Sequence, residues 1–403
     1  MTFGSVDRPK KGGIPRGLSQ TALVLFCYGF RPFFLGAAIW AFAVMALWIA
    51  SLTGMLAIAE DYGPTHWHAH EMLFGYSSAV LAGFLLTAVP NWTGRLPVSG
   101  WPLFFLFAMW VAGRLVFLLP DVEGVAAAIV DSVFLPVLLL ICVREVVVGR
   151  KWKDLKVMSG LLMLSAGNIL FHLEVVRGGH PDVAIKLAVS AYVLLVMIVG
   201  GRIIPSFTRN WINKSGRTDF PAPYDRFDSA AIVTGAAALA GWIILPPGPW
   251  VALVTGAAFL MHLARLARWR GWTVTGEHLV TVLHVAYAFV PLGFLGLALS
   301  ALGVVSPMAA LHVLTVGTVA SMMLAVMTRA TRGHTGRVLT ASPMTSLAYA
   351  AIVLAALLRP AADFFPGHAQ TLYAVSGLAW LVAFSLYLIE YGPMLTKVRR
   401  KIG

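Results

Sequence analysis

The sequence predicts an all-α integral membrane protein with twelve transmembrane helices. Of its 403 residues, 59% are hydrophobic and only 12% are charged, against about 25% charged in an ordinary soluble domain. A hydrocarbon core about 30 Å thick needs roughly 20 apolar residues per helical span, and turn and charge clusters divide the chain into twelve such runs. The predicted spans are 31–53, 64–90, 101–119, 124–143, 157–177, 182–204, 227–245, 250–270, 277–301, 307–329, 344–360 and 368–392.

These runs define one membrane domain at residues 31–392 with a short segment at each end. Residues 1–30 have no small-residue cleavage site after a short apolar core, so we expect a retained cytoplasmic segment in which 18–30 lies along the interface. Residues 393–403 form a basic cytoplasmic tail. The longest predicted connection runs from Pro205 to Arg226, which is too short for a second globular domain.

The charge distribution predicts that both termini are cytoplasmic. The net charge is +13, but the basic residues follow the loops instead of forming one patch, which favours the positive-inside rule over a nucleic-acid partner. The exceptions to the rule are Arg114, Arg177, Lys186 and Arg359. The acids predicted on the opposite side include Glu60, Asp61, Asp121, Glu123 and Asp363.

Three histidines and a glutamate stand at the start of the second predicted span, in the segment PTHWHAHEMLFGYSSA at 64–79. Ionisable side chains are expensive in a membrane and mark functional sites, and imidazole is a common ligand of haem iron and copper. On a regular helix, His66 and His70 share one face, whereas His68 is rotated roughly 200° from each. At least two environments are therefore expected.

An internal repeat links the second and tenth spans. His70 and His312 are each followed five residues later by a glycine, Gly75 and Gly317, and further on by Thr-Gly-Arg at 93–95 and 335–337. Both spans run in the same direction, so the two histidines should lie at similar depth. The repeat predicts that His70 and His312 clamp a b-type haem between parallel helices.

Other buried polar residues extend this outer layer. His68 could bind a second metal, such as copper, together with His172 of the fifth span. Glu71 and Glu174 are the carboxylates nearest the layer and could relay protons. Arg114 has two open interpretations: it pairs with Asp131, or it binds a haem propionate.

A second histidine layer is expected at the opposite end of the spans. His262 and His284 could form another ligand pair there, and Tyr287 could donate a hydrogen bond or act as a redox-active phenol. The alternative for every one of these histidines is a hydrogen bond between helices with no cofactor.

Several long motifs resemble the NnrS family. They are RPFF at 31–34, WHAHEMLFGY at 67–76, GFLLTAVPNWTGR at 83–95, GRIIPSFTRNW at 201–211 and LHVLTVGTVASMMLAVMTRATRGHTGR at 311–337. The resemblance spans nearly the whole chain. It implies a twelve-helix protein of the bacterial inner membrane that contains haem and copper and is associated with denitrification and nitric oxide tolerance. The family's histidine motifs would fall on His68, His70, His284 and His312.

We therefore expect a membrane redox protein that handles nitric oxide, as an oxidoreductase that forms nitrous oxide with two electrons and two protons. The electron donor would be quinol or a cytochrome c. The alternative is a non-catalytic haem protein for sensing, buffering or electron transfer; a transporter is a third possibility. The helix layout is somewhat similar to the catalytic subunit of haem–copper oxidases, but no histidine lies between His180 and His262, where those enzymes place metal ligands.

Overall fold

The computed structural model describes residues 23–59, 62–119 and 122–399. Within these residues, twelve helices are long and apolar enough to cross a membrane, which confirms the predicted number and class. The helices are α1 (Phe30–Leu52), α2 (Pro64–Thr93), α3 (Trp101–Leu118), α4 (Gly124–Val148), α5 (Trp152–Val176), α6 (Asp182–Lys214), α7 (Arg226–Ile244), α8 (Pro249–Thr273), α9 (His278–Ala301), α10 (Pro307–His334), α11 (Pro343–Ala361) and α12 (Pro366–Thr396).

The sixth helix is longer than the sequence predicts. We expected a loop from Pro205, but the helix continues to Lys214. The prediction was wrong because the last turns are amphipathic, so hydropathy falls while the helix persists. Ile204, Thr208 and Ile212 repeat at four-residue intervals and are all buried, which holds this end against the bundle.

Three helices form the centre of the bundle. Helices α2, α6 and α10 contact one another, and the Tyr192 hydroxyl of α6 donates a 2.7 Å hydrogen bond to the Leu73 carbonyl of α2. In α2, 83% of the apolar stretch is buried inside the protein, against 28% in α7. The outer helices therefore face lipid, and polar groups on the central helices are enclosed by protein.

Each central helix contains a π-helical segment. In the described part of the chain these segments are Glu71–Tyr76, Val196–Gly200 and Val313–Ala320. Two of them begin directly after His70 and His312, so the sequence repeat corresponds to a repeated backbone feature. The third segment lies in α6, which has no histidine at the corresponding position. The π-helical segments therefore recur in every fourth helix. Segments of this kind occur frequently at functional sites.

The two ends of the described chain lie together. The Arg31 guanidinium donates hydrogen bonds to the carbonyls of Leu395 (2.6 Å) and Lys397 (2.9 Å), so α1 begins where α12 ends. We call this the terminal end of the bundle. Which side of the membrane it faces stays a prediction. The expectations for Glu60, Asp61, Asp121 and most of the N-terminal segment, residues 1–22, concern residues outside the described part, as do residues 400–403 of the basic tail.

Candidate metal centre

A buried group of metal-ligand type joins α2, α4 and α5. His70, Asp131 and His172 each offer a ligand atom, and these atoms lie within 4.8 Å of one another. The Nε2 atoms of His70 and His172 are 3.2 Å and 2.9 Å from Asp131 Oδ2. All three side chains are nearly or fully excluded from solvent. We call this group the His–Asp–His centre.

The second ring nitrogen of each histidine is held by its own partner. His70 Nδ1 lies 2.9 Å from Glu71 Oε1, and His172 Nδ1 lies 2.6 Å from the Tyr62 hydroxyl. Such partners fix the ring orientation of metal-binding histidines. Tyr62 precedes α2, and burial raises the pKa of its phenol, so the hydroxyl keeps its proton.

Arg114 of α3 connects the two acids. Its guanidinium pairs with Asp131 Oδ1, and its Nη1 lies 3.0 Å from Glu71 Oε2. The Trp40 indole donates a 2.7 Å hydrogen bond to the same Glu71 oxygen. Of the two predictions for Arg114, the pairing with Asp131 is confirmed. Glu71 has both oxygens engaged, which favours a positioning role over a free proton relay.

Two glycines let these side chains approach. A Cβ at residue 75 would lie 2.5 Å from both Arg114 Nη1 and Glu71 Oε2. A Cβ at residue 113 would lie 2.6 Å from Asp131 Oδ1. Gly75 belongs to the repeat found in the sequence. The structure gives this glycine a packing role, because a side chain at residue 75 would meet the ion pair between Arg114 and Glu71.

Charge and donor atoms fit a transition-metal ion. Arg114 balances one of the two carboxylates, Glu71 and Asp131, which leaves one negative charge if both histidines are neutral. Buried charge requires compensation, by a proton on a histidine or by a cation. Two imidazoles and one carboxylate suit iron, zinc or copper, and the same set with open positions is typical of non-haem iron. Without a metal, the same atoms form a buried hydrogen-bonded ion cluster.

His68 faces away from this centre. Its ring stacks on Trp48 with centroids 4.5 Å apart, and its Nδ1 is buried with no hydrogen-bond partner among the described residues. The expectation of two environments for the α2 histidines is confirmed. His172, which we placed with His68, contacts His70 instead: their ring centroids are 4.7 Å apart.

His312 has one ring nitrogen engaged. Its Nδ1 lies 2.8 Å from the Met308 carbonyl, which leaves Nε2 for another partner. Among the described residues it has no hydrogen bond or ring contact with His70. The His70–His312 haem clamp therefore stays a prediction, and both ring nitrogens of His70 are already engaged, by Glu71 and by Asn168.

The second histidine layer is divided between two hydrogen-bonded pairs. His262 Nδ1 lies 2.8 Å from the Tyr287 hydroxyl, and His284 Nε2 lies 2.8 Å from the Thr208 hydroxyl. Tyr287 therefore contacts His262, not His284. The two histidines make no direct contact in the described part of the chain, and their role as a ligand pair stays a prediction.

Sequence reasoning gave Asp131 only as a partner for Arg114 and omitted Asn168 and Tyr62. Asn168 Nδ2 donates a 2.8 Å hydrogen bond to Asp131 Oδ2, and its Oδ1 lies 2.9 Å from His70 Nε2. The sequence does contain an indication of this role, because Asn168 precedes His172 by four residues and so lies on the same helical face. Among the described residues, Glu174 makes no hydrogen bond or ion pair with the centre, and one of its carboxylate oxygens is buried without a hydrogen-bond partner.

The fold and this centre define a polytopic helical membrane protein with a buried group of metal-ligand type. The chain belongs to the NnrS family: the family model described as NnrS protein matches residues 24–399, nearly the whole chain. Membership of this family suggests a role in nitric oxide response. No curated protein matches the chain.

Proposed function

We propose that this protein is a metalloprotein of the bacterial inner membrane that handles nitric oxide at the His–Asp–His centre. The observation that carries the proposal is the convergence of His70 Nε2 and His172 Nε2 on Asp131 Oδ2, at 3.2 Å and 2.9 Å. A bound transition metal would supply a site for nitric oxide and a change of oxidation state. Family membership supports the choice of ligand.

The protein's own residues prepare the site. Glu71 and Tyr62 orient the two imidazoles, Arg114 offsets carboxylate charge, and Asn168 holds the third ligand, Asp131. Phe117 and Phe171 cover the histidines, with ring centroids 5.4 Å and 5.3 Å from His70. These rings exclude water, which strengthens the electrostatic interactions inside the centre.

The test compares His172→Ala with His278→Ala in purified protein. His278 is exposed at the start of α9 and bonds to Ser346, so it is a control outside the centre. The content of non-haem metal is measured together with anaerobic loss of nitric oxide in the presence of an artificial reductant. We expect His172→Ala to lose both the metal and nitric oxide consumption, and His278→Ala to keep both.

Two results would count against this function. Retention of metal and consumption by His172→Ala would remove the centre from the proposal. Binding of nitric oxide by the wild type without consumption would favour the non-enzymatic alternative, in which the protein senses or buffers nitric oxide or passes electrons.

We propose that His68 and His312 would hold a b-type haem, and that Arg359 would offset the negative charge of its carboxylates. His312 Nδ1 is held by the Met308 carbonyl, an arrangement that orients a ligating imidazole. His68 Nδ1 and Arg359 Nη1 are buried and have no hydrogen-bond partner within the described part of the chain. The residues present therefore fit a haem at this position, where it would serve electron transfer.

Absorbance spectra test this assignment. His312→Ala and His68→Ala should each lower the haem content of purified protein severalfold, while His70→Ala keeps it. A normal haem spectrum in His312→Ala, or its loss only in His70→Ala, would contradict the assignment.

A further inference from the structure

A cavity of about 530 Å³ opens at the terminal end of the bundle, near the start of α5, whereas His172 lies near the other end of that helix. The cavity lies where α5 begins, α6 ends and α7 begins. Lys156, Arg202, Arg209, Asp228, Tyr224 and Trp269 are among its lining residues. Its volume is within the range of small-molecule sites.

Two cations on its wall have no acidic partner among the described residues. Arg202 pairs with Asp154 at 2.9 Å, and Asp228 pairs with Arg265 at 2.9 Å. Lys156 and Arg209 form no ion pair with any acid in the described part of the chain. Arg209 lies over the Phe220 ring, 5.0 Å from its centroid, which fixes its guanidinium near the cavity.

A third cation is buried behind the wall. Arg265 is fully buried, and its Nη2 has no hydrogen-bond partner among the residues that the structure describes. It lies against two lining residues: a Cβ at Gly201 would overlap its guanidinium, and its Cζ is 5.1 Å from the centroid of the Trp269 ring. Its one acidic partner, Asp228, is also 3.5 Å from Arg268, so this carboxylate is shared between two cations.

We propose that this cavity binds an anionic ligand that carries a phosphate group, and that its source is the headgroup of an anionic phospholipid. Excess positive charge in a cleft attracts and holds phosphate. Basic pockets between transmembrane helices bind lipid headgroups of this kind. Ile198, Pro205 and Ile232 also line the cavity and provide an apolar surface for the part of the lipid next to the phosphate.

The experiment measures the shift in thermal unfolding midpoint of detergent-solubilised protein on addition of phosphatidylglycerol, phosphatidylcholine or glycerol 1-phosphate. The test variant is Lys156→Gln with Arg209→Gln. The control variant, Lys151→Gln with Lys153→Gln, removes the same charge from exposed residues of the same region that do not line the cavity. A charge-conserving variant, Lys156→Arg with Arg209→Lys, shows whether a change in fold causes the effect.

We expect phosphatidylglycerol to raise the midpoint by several degrees more than phosphatidylcholine in the wild type. The control and charge-conserving variants should keep this difference, and the test variant should lose it. If glycerol 1-phosphate raised the midpoint as much as phosphatidylglycerol, the cavity would still be an anion site, but its ligand would be a soluble phosphate compound. An undiminished phosphatidylglycerol shift in the test variant would overturn the proposal, as would a wild type that responds alike to all three additions.

Discussion

Asp131 is the residue on which the His–Asp–His centre depends most. It contacts Arg114, Asn168, His70 and His172, so one carboxylate joins its own helix to three others. The sequence singles out most of these residues, because charged and imidazole side chains are conspicuous in apolar spans. It does not predict which of them meet, since that depends on how each helix is rotated in the bundle.

Replacing Asp131 by Asn should remove the metal and destabilise the fold. The change keeps the side-chain shape but leaves Arg114 with one acidic partner, and breaking a buried ion pair costs about 3–5 kcal/mol. Unfolding in denaturant and metal content measure the two effects. Asp219→Asn, at an exposed pair with Arg217, should change neither. Wild-type metal content in Asp131→Asn would contradict a ligand role.

Tyr62 allows a milder test of the same centre. Tyr62→Phe removes only the hydroxyl that lies 2.6 Å from His172 Nδ1. Loss of a group that orients a ligand typically lowers metal affinity by about 10- to 100-fold, so we expect weaker binding with the fold retained. Competition with a chelator gives the affinity. Tyr224→Phe, at an exposed hydroxyl bonded to Ser229, should have wild-type affinity; equal affinities in both variants would exclude an orienting role for Tyr62.

At the scale of the helix, the π-helical segments explain why the site was only partly predictable. A regular helix places His66, His68 and His70 correctly relative to one another, because Pro64–His70 is α-helical. From Glu71 the backbone is π-helical, with more residues per turn than an α-helix. The side chains after this segment are therefore rotated relative to their positions on a regular α-helix. The faces of α2 and α10 beyond their histidines therefore do not follow from a 3.6-residue period.

Gly75 tests the packing of the α2 segment against α3. Gly75→Ala would place a methyl group 2.5 Å from Arg114 Nη1 and Glu71 Oε2. We expect a loss of about 1–3 kcal/mol of stability, typical of overpacking, together with lower metal content. Gly124→Ala is the matched change, because a Cβ there meets no atom within 4 Å. Equal stability of the two variants would show that the ion pair tolerates the methyl group.

At the scale of the whole molecule, the number of helices was predictable because bilayer thickness fixes the length of an apolar run. The central position of α2, α6 and α10 could not be predicted from the sequence, because α6 has no histidine like those of α2 and α10. The sequence only suggests a period of four helices, through the Arg-rich end Thr208-Arg209 that the sixth span shares with the second and tenth, and the π-helical segments support it.

The orientation of the molecule follows from the loop charges. If the positive-inside rule holds, the terminal end is cytoplasmic. Green fluorescent protein fused after Gly403 should then fluoresce, and alkaline phosphatase fused there should be inactive. Active phosphatase at this position would place the termini outside and would invert the predicted topology.

The most direct test of the account is X-ray absorption spectroscopy at the copper or zinc edge, which excludes any signal from haem iron, on wild-type protein and His172→Ala loaded with that metal. The His–Asp–His centre predicts first-shell nitrogen and oxygen ligands with the scattering pattern of two imidazoles in the wild type. The variant should bind less metal and show no more than one imidazole from this centre. An unchanged spectrum at unchanged metal content in His172→Ala would show that the metal is bound elsewhere and would contradict the account.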